Sequence, residues 1–191
     1  MNLYISDQHF GHKNVILFDH RPFQDVDEMN EVMISLWNGR VRDEDDVWIL
    51  GDFCYRSGVS PVSILRRLRG HKHLIIGNHD GEILKNQQAR SYFESIDHLL
   101  EITDNGQKIV LCHFPICDWH HMNNGAVHVF GHIHNKTHRT AQYMHSIGNA
   151  YNAAAAINGY RPCSLRELKE NNERFWQQAR PEKWYGFDQK V

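Results

Sequence analysis

Cysteine is scarce in this 191-residue chain, and a long apolar run is lacking altogether. The four cysteines are Cys54, Cys112, Cys117 and Cys163, with no C-x-x-C pair among them. An even count leaves a disulfide framework open. The opening MNLYISDQHF, however, has no basic n-region and no apolar h-region, so no signal peptide is expected. The expectation is four reduced thiols in a cytoplasmic protein. No apolar stretch reaches the roughly 18–20 residues of a membrane helix, so no membrane partner is expected. Excess charge of one sign is also missing. The net charge is −2 with neutral histidines, which argues against a global nucleic-acid or membrane-surface binder. No internal repeat and no linker divides the chain, and its length suits one domain over residues 1–191.

Histidine is what the chain has in quantity: 15 of them, of the residue type that most often ligates metals. Short apolar strands are expected at Asn2–Ser6, Val47–Leu50, Leu74–Ile76, Ile109–Cys112 and Val127–Phe130, with another at Gln142–Ile147. Helical spacing of Val26, Met29, Val32, Met33, Leu36 and Trp37 predicts a helix from Val26 to Asn38, capped by Asp25 and stopped at Gly39. A second helix is expected from Pro61 to Arg69, begun near Ser60, and a last one from Ser164 to about Gln178, stopped by Pro181. Ala153–Ala156 reads as a helical turn or a surface loop. Strands alternating with helices, then a strand-richer second half, predict a layered α/β or α+β domain.

Five of these strands end in polar or metal-capable residues: Asp7, Asp52, Asn78, His113 and His132. Strand ends converge on one edge of a sheet, where ligand sites of α/β folds gather. Each fragment alone has a second reading. Asp7-Gln8-His9 places two ligands at i, i+2, on one side of an extended backbone, or is a polar loop. Gly51-Asp52 is a metal carboxylate or an Asp satisfying its own turn. Gly77-Asn78-His79-Asp80 is a ligand loop or a helix cap. His113 is a ligand or a satisfied core histidine. Gly131-His132-Ile133-His134 carries two histidines at i, i+2, a pairing that structural histidines seldom make. Cys112, on the opposite side of its strand from His113, reads as core.

In order, D-x-H, G-D, G-N-H-D, a strand-terminal H and G-H-x-H form the motif series of the calcineurin-like metallophosphoesterases. The chain resembles that superfamily from residue 3 to about residue 150. The resemblance implies a four-layer fold, two packed mixed β-sheets flanked by helices, with a dinuclear site at the strand ends. It implies Asp7, His9, Asp52 and His134 around one metal and Asp52, Asn78, His113 and His132 around the other, with Asp52 bridging. Two divalent ions are expected, Mn²⁺ favoured over Fe or Zn²⁺, since the set offers N and O donors and no thiolate. Such a pair activates a water and clamps the reacting oxygens of a phosphate ester. His79 matches the family histidine beside the metals, a proton donor or charge stabiliser, with Asp80 orienting it.

Further substrate contacts are expected from His12, Arg21, Arg56 and Trp119. His12 reads equally as a helix-start residue; for Arg21 and Arg56 the stronger single reading is solvated surface, and for Trp119 packing stands at least level with stacking. Small bacterial and phage-type members share H-F-G-H and R-P-F segments, which favours Arg21. The Gly148–Pro162 segment is longer than expected of small relatives. The close spacing of the motifs leaves no room for a cap, so an open site is expected. The implied function is metal-dependent phosphoesterase on a small phosphorylated substrate, a phosphodiester or nucleotide type being favoured. A phosphomonoesterase on a small metabolite and a non-catalytic scaffold of the same fold are the alternatives. No long nucleic acid is expected as a partner, and the oligomeric state is left open.

Overall fold

The computed structural model describes residues 1–55 and 59–180; Arg56 and Pro181 lie outside them. Along the buried strands, successive side chains alternate between two core clusters, and this defines the layers. The first sheet is parallel throughout, in the order β1 (Asn2–Ile5), β2 (Asp46–Ile49), β3 (His71–Ile75) and β4 (Phe93–Asp97). Leu3, Ile5, Val47, Ile49 and Leu74 face helices on one side; Tyr4 and Trp48 face the second sheet on the other. Both faces are covered, as parallel sheets require. The second sheet pairs β5 (Leu99–Asp104) antiparallel to β6 (Gln107–Cys112), then adds β7 (Val127–Phe130) and β8 (Ala150–Asn152) in parallel. Ile109, Leu111, Val127 and Val129 meet the first sheet, while Val110 and Phe130 join an outer cluster. Two four-stranded sheets flanked by helices are thus the observed architecture, one of them all-parallel and only the other mixed.

Helix α1 (Lys13–Phe18) follows β1, and α2 (Val26–Arg40) covers the first sheet with Met29, Met33, Ile34 and Trp37. The Asp25 carboxylate accepts the N–H groups of Asp27 and Glu28 and caps α2 as expected. Gly39 does not end that helix, which runs one residue further. The helix expected from Pro61 to Arg69 is shorter, α3 (Pro61–Leu65). Two short helices, α4 (Gly81–Lys85) and α5 (Gln87–Arg90), lead into β4. The expected strand Gln142–Ile147 is instead part of α6 (Arg139–Ile147). There His138 caps the start, Gly148 ends it at φ +85°, and Ala141 and Met144, three residues apart, face the outer cluster. Helix α7 (Leu165–Gln178) begins in a capping box between Ser164 and Glu167.

The alanine run is not a surface loop; it leads into a buried turn in which Ala154 O accepts the N–H groups of Ile157 and Asn158, as in a helical turn. Ala153, Ala154 and Ala155 are fully buried. Ser6 donates its N–H to Ala153 O, and Ala155 donates to Ser6 O. The long Gly148–Pro162 segment therefore runs beside the end of β1 and buttresses the residue before Asp7. All four cysteines are free thiols. No helix among the described residues is long and apolar enough to cross a membrane.

Candidate metal centre

Strands β1, β2, β3, β6 and β7 deliver Asp7, Asp52, Asn78, His113 and His132 within three residues of their ends. The D-x-H segment is not extended. Asp7 and His9 both take left-handed backbone, at φ 54° and 53°. Asp52, His132 and His134 do the same, at 54°, 70° and 50°. Among the described residues nine non-glycine residues have positive φ, and these five are among them, so backbone strain concentrates on the candidate ligands. The glycines are explained by close approach. A Cβ at Gly51, itself at φ +81°, would lie 2.5 Å from His113 Nδ1. A Cβ at Gly131 would lie 2.7 Å from Asp7 Oδ2, and one at Gly77 would collide with Asp52.

The side chains meet in two overlapping groups, Asp7–His9–His134 and Asp7–Asp52–His113, each with donor atoms within 4.8 Å of one another. Asp52 Oδ2 is 3.7 Å from His9 Nε2 and 3.6 Å from His113 Nε2, so it lies between the two histidine sets. Its other oxygen is held by the N–H of His79. Asp7 Oδ1 is 3.6 Å from His134 Nε2, and the Asp7 carboxylate accepts the N–H of His132 and the hydroxyl of Ser6. Asn78 Oδ1 faces His113 Nε2 at 3.1 Å and His132 Nδ1 at 3.0 Å.

Hydrogen bonding fixes which ring nitrogens carry protons. His113 Nδ1 lies 2.7 Å from Leu50 O, a carbonyl that can only accept, so Nδ1 donates. In the neutral ring Nε2 then carries a lone pair, aimed at the oxygens of Asn78 and Asp52. His134 Nδ1 likewise donates to Asp19 Oδ2 at 2.8 Å, leaving Nε2 facing His9 Nε2 at 3.2 Å. Burial pushes His9 down to about 2, which keeps it neutral, and its Nδ1 has no partner. Burial pushes the Asp7 carboxyl up, against the pull of His134 and His113. The His113 Nε2 lone pair and the Asp52 carboxylate face one another at 3.6 Å, an electrostatic cost that divalent cations remove. Leu50 O and the Asp19 carboxylate, accepting from the far nitrogens of His113 and His134, are partners of the kind metal-binding histidines have. The residues fit a two-cation site.

Three expectations are corrected here. Arg21 is not at the surface: its guanidinium has no exposure, donates to Gln8 O and Asp7 O, and pairs with Asp19 at 3.0 Å. It braces the D-x-H backbone and cannot reach a substrate. Trp119 is core, with Nε1 donating to Ala126 O. Asp80 does not touch the His79 ring; its carboxylate accepts the N–H groups of Asp52, Phe53 and Gly77 and so ties the β2 and β3 loops together. His79 is 4.0 Å from Asp52 Oδ2, with a partly exposed ring. His12 is the N-cap of α1 and also lies beside the site, stacked on Tyr55 at 4.0 Å. Tyr55, whose ring also meets His79 edge-on at 4.7 Å, was not foreseen, nor was Asp19; neither stands in a motif that marks it.

The five motifs that carry the resemblance to the calcineurin-like metallophosphoesterases are thus gathered at one edge of two packed sheets. No protein-family model matches this chain. It is similar to an uncharacterized protein of Methanocaldococcus jannaschii, 31% identical over 163 residues, which are 84% of this chain and 85% of that one. It is also similar to the gene 66 protein of Mycobacterium phage L5, 28% identical over 69% of this chain and 76% of that one. Among solved structures, a protein of unknown function from Aquifex aeolicus matches with a TM-score of 0.70 and 26% identity, covering 89% of this chain and 98% of that one.

Proposed function

We propose that this chain is a metal-dependent phosphoesterase, with a phosphodiester or nucleotide-type ester as its favoured substrate. The observation that carries the proposal is Asp52 Oδ2, set between His9 Nε2 at 3.7 Å and His113 Nε2 at 3.6 Å. Asp7, His9, Asp52 and His134 would hold one cation; Asp52, Asn78, His113 and His132 would hold the other. When bound, two divalent ions, Mn²⁺ favoured and Fe or Zn²⁺ as alternatives, supply a lowered water pKa and neutralise phosphoryl charge. The protein fixes the donors before binding. Leu50 O and Asp19 orient His113 and His134, Asp80 locks the two loops, and Arg21 pins the backbone of Asp7.

His79 is proposed as the proton donor to the leaving oxygen. Its backbone is anchored on Asp52, its ring is flanked by Tyr55, and its partial exposure leaves it accessible to substrate. The test is hydrolysis of bis(p-nitrophenyl) phosphate and p-nitrophenyl phosphate by metal-free protein reconstituted with Mn²⁺. Turnover of the diester that a chelator abolishes is the expected result. No turnover of either ester with Mn²⁺, Fe²⁺ or Zn²⁺ would contradict the proposal.

A further inference from the structure

A cleft of about 440 Å³ opens directly beside His132 and His134. Its other walls include Phe18, Ile133, Lys136 and His138. The volume lies in the range of small-molecule sites, roughly 300–1,000 Å³. One wall is unusual. Phe18 ends α1 with 59% of its surface exposed, although a phenyl ring gains nothing from water. Few large apolar side chains among the described residues are this exposed, and Phe18 lines a cleft continuous with His132 and His134. Its position is fixed from behind: Lys136 Nζ donates to Phe18 O, and Asn135 donates to Asp19 O at 2.8 Å. The ring is therefore presented by an anchored turn.

From this placement we infer that the Phe18 cleft is the subsite for the organic group of the ester, and that it selects a planar aromatic group, a nucleobase in particular. The inference rests on the phosphoesterase reading above and names its substrate class. A phosphate held at the cations would have its ester substituent next to His132 and His134, which are walls of this cleft. An aromatic face stacks on any base without demanding a sequence. Lys136 and His138 add polar groups at the edge, as a base or ribose needs and a simple alkyl group does not. The His138 ring is held by the N–H of Ala141, so it too is pre-set. Phe114, 43% exposed and 4.7 Å from the His132 ring, lies outside this cleft and offers the competing surface.

Two measurements test this, one of them independent of turnover. The first is calorimetric binding of thymidine 5′-monophosphate and of methyl phosphate to the Mn²⁺-loaded protein. The wild type is expected to prefer the nucleotide, and Phe18→Ala to lose that preference by about tenfold, the usual scale of one stacked base. Phe18→Tyr, which keeps the ring, should restore it. The second is the ratio of kcat/KM for thymidine 5′-p-nitrophenyl phosphate over methyl p-nitrophenyl phosphate, which share a leaving group. That ratio should fall in parallel. Equal binding of both ligands by the wild type would overturn the subsite. So would a loss of preference confined to Phe114→Ala. Nucleotide-selective binding with no hydrolysis of any ester would instead overturn the phosphoesterase reading and leave the subsite standing.

Discussion

The backbone N–H of His132 lies within 3.1 Å of both carboxylate oxygens of Asp7, 125 residues earlier in the chain. This contact joins the end of β1 in the first sheet to the end of β7 in the second. Gly131 is what permits it, because a Cβ there would occupy the space of Asp7 Oδ2 and Ser6 Oγ. The site is therefore built where the two sheets touch, and its ligands are also links between them.

Asp52→Asn removes the charge shared by the two histidine sets and keeps the shape. Both cation sites should weaken together, so metal content and activity should fall further than for alanine replacement of any single histidine ligand. Metal analysis and kcat/KM on the same samples check this. A near-wild-type Asp52→Asn beside an inactive His132→Ala would contradict the bridging role.

Asp80 makes a different kind of prediction. Its carboxylate satisfies three buried amides. Each orphaned buried donor costs about 1–3 kcal/mol, so Asp80→Ala should lose at least about 3 kcal/mol of stability. Urea unfolding of the metal-free protein measures it. Unchanged stability together with lost activity would return Asp80 to an orienting role at His79.

His79→Ala should keep both cations and lose activity. A positioned proton donor is worth roughly 10²–10⁴-fold. An alkoxide leaves poorly without a proton and a nitrophenolate leaves well, so alkyl or nucleoside esters should suffer most. Equal losses on both ester types would remove the proton-donor role and leave charge stabilisation. Loss of metal would overturn the assignment of His79 as a non-ligand.

His128 tests the second sheet. It is fully buried, donates from Nδ1 to Val110 O and accepts the N–H of Ile116. Burial pushes it down to about 4. The folded protein holds it neutral, whereas the unfolded chain protonates it at its ordinary value near 6.5. Its contribution is present above pH 6.5 and is lost as pH falls toward 4, about 3 kcal/mol in all. NMR titration of its ring should show no protonation between pH 7 and 5. A midpoint near 6.5 would contradict the buried, satisfied geometry.

The positions of the candidate ligands could be picked out in the sequence because each punctuates a strand: an apolar run stops and a donor follows, at Asp52, Asn78 and His132 after a glycine. The layered α/β fold was legible for the same reason. The left-handed backbone of Asp7 and His9 was not, since it arises from long-range pairing, such as Asp7 N–H to Gly51 O and His9 N–H to Asp52 O. Arg21 misled because nothing in H-R-P-F reports that Asp19 and two carbonyls await it inside. Trp119 misled because packing and stacking ask for the same residue. Gln142–Ile147 read as a strand because its residues suit either state; the decisive His138 and Gly148 caps lie just outside it. Strands β4 and β5 went unnoticed because they are only half-buried, which leaves little hydrophobic pattern in their residues.

On the proposed function, one polypeptide would hold two cations across Asp52. Calorimetric titration of Mn²⁺ into metal-free protein, with electron paramagnetic resonance of the product, tests it most directly. The account predicts two equivalents bound per chain and a spin-coupled signal from neighbouring ions. It also predicts that Asp52→Asn abolishes that coupling. One equivalent, or two uncoupled ions unaffected by Asp52→Asn, would contradict it.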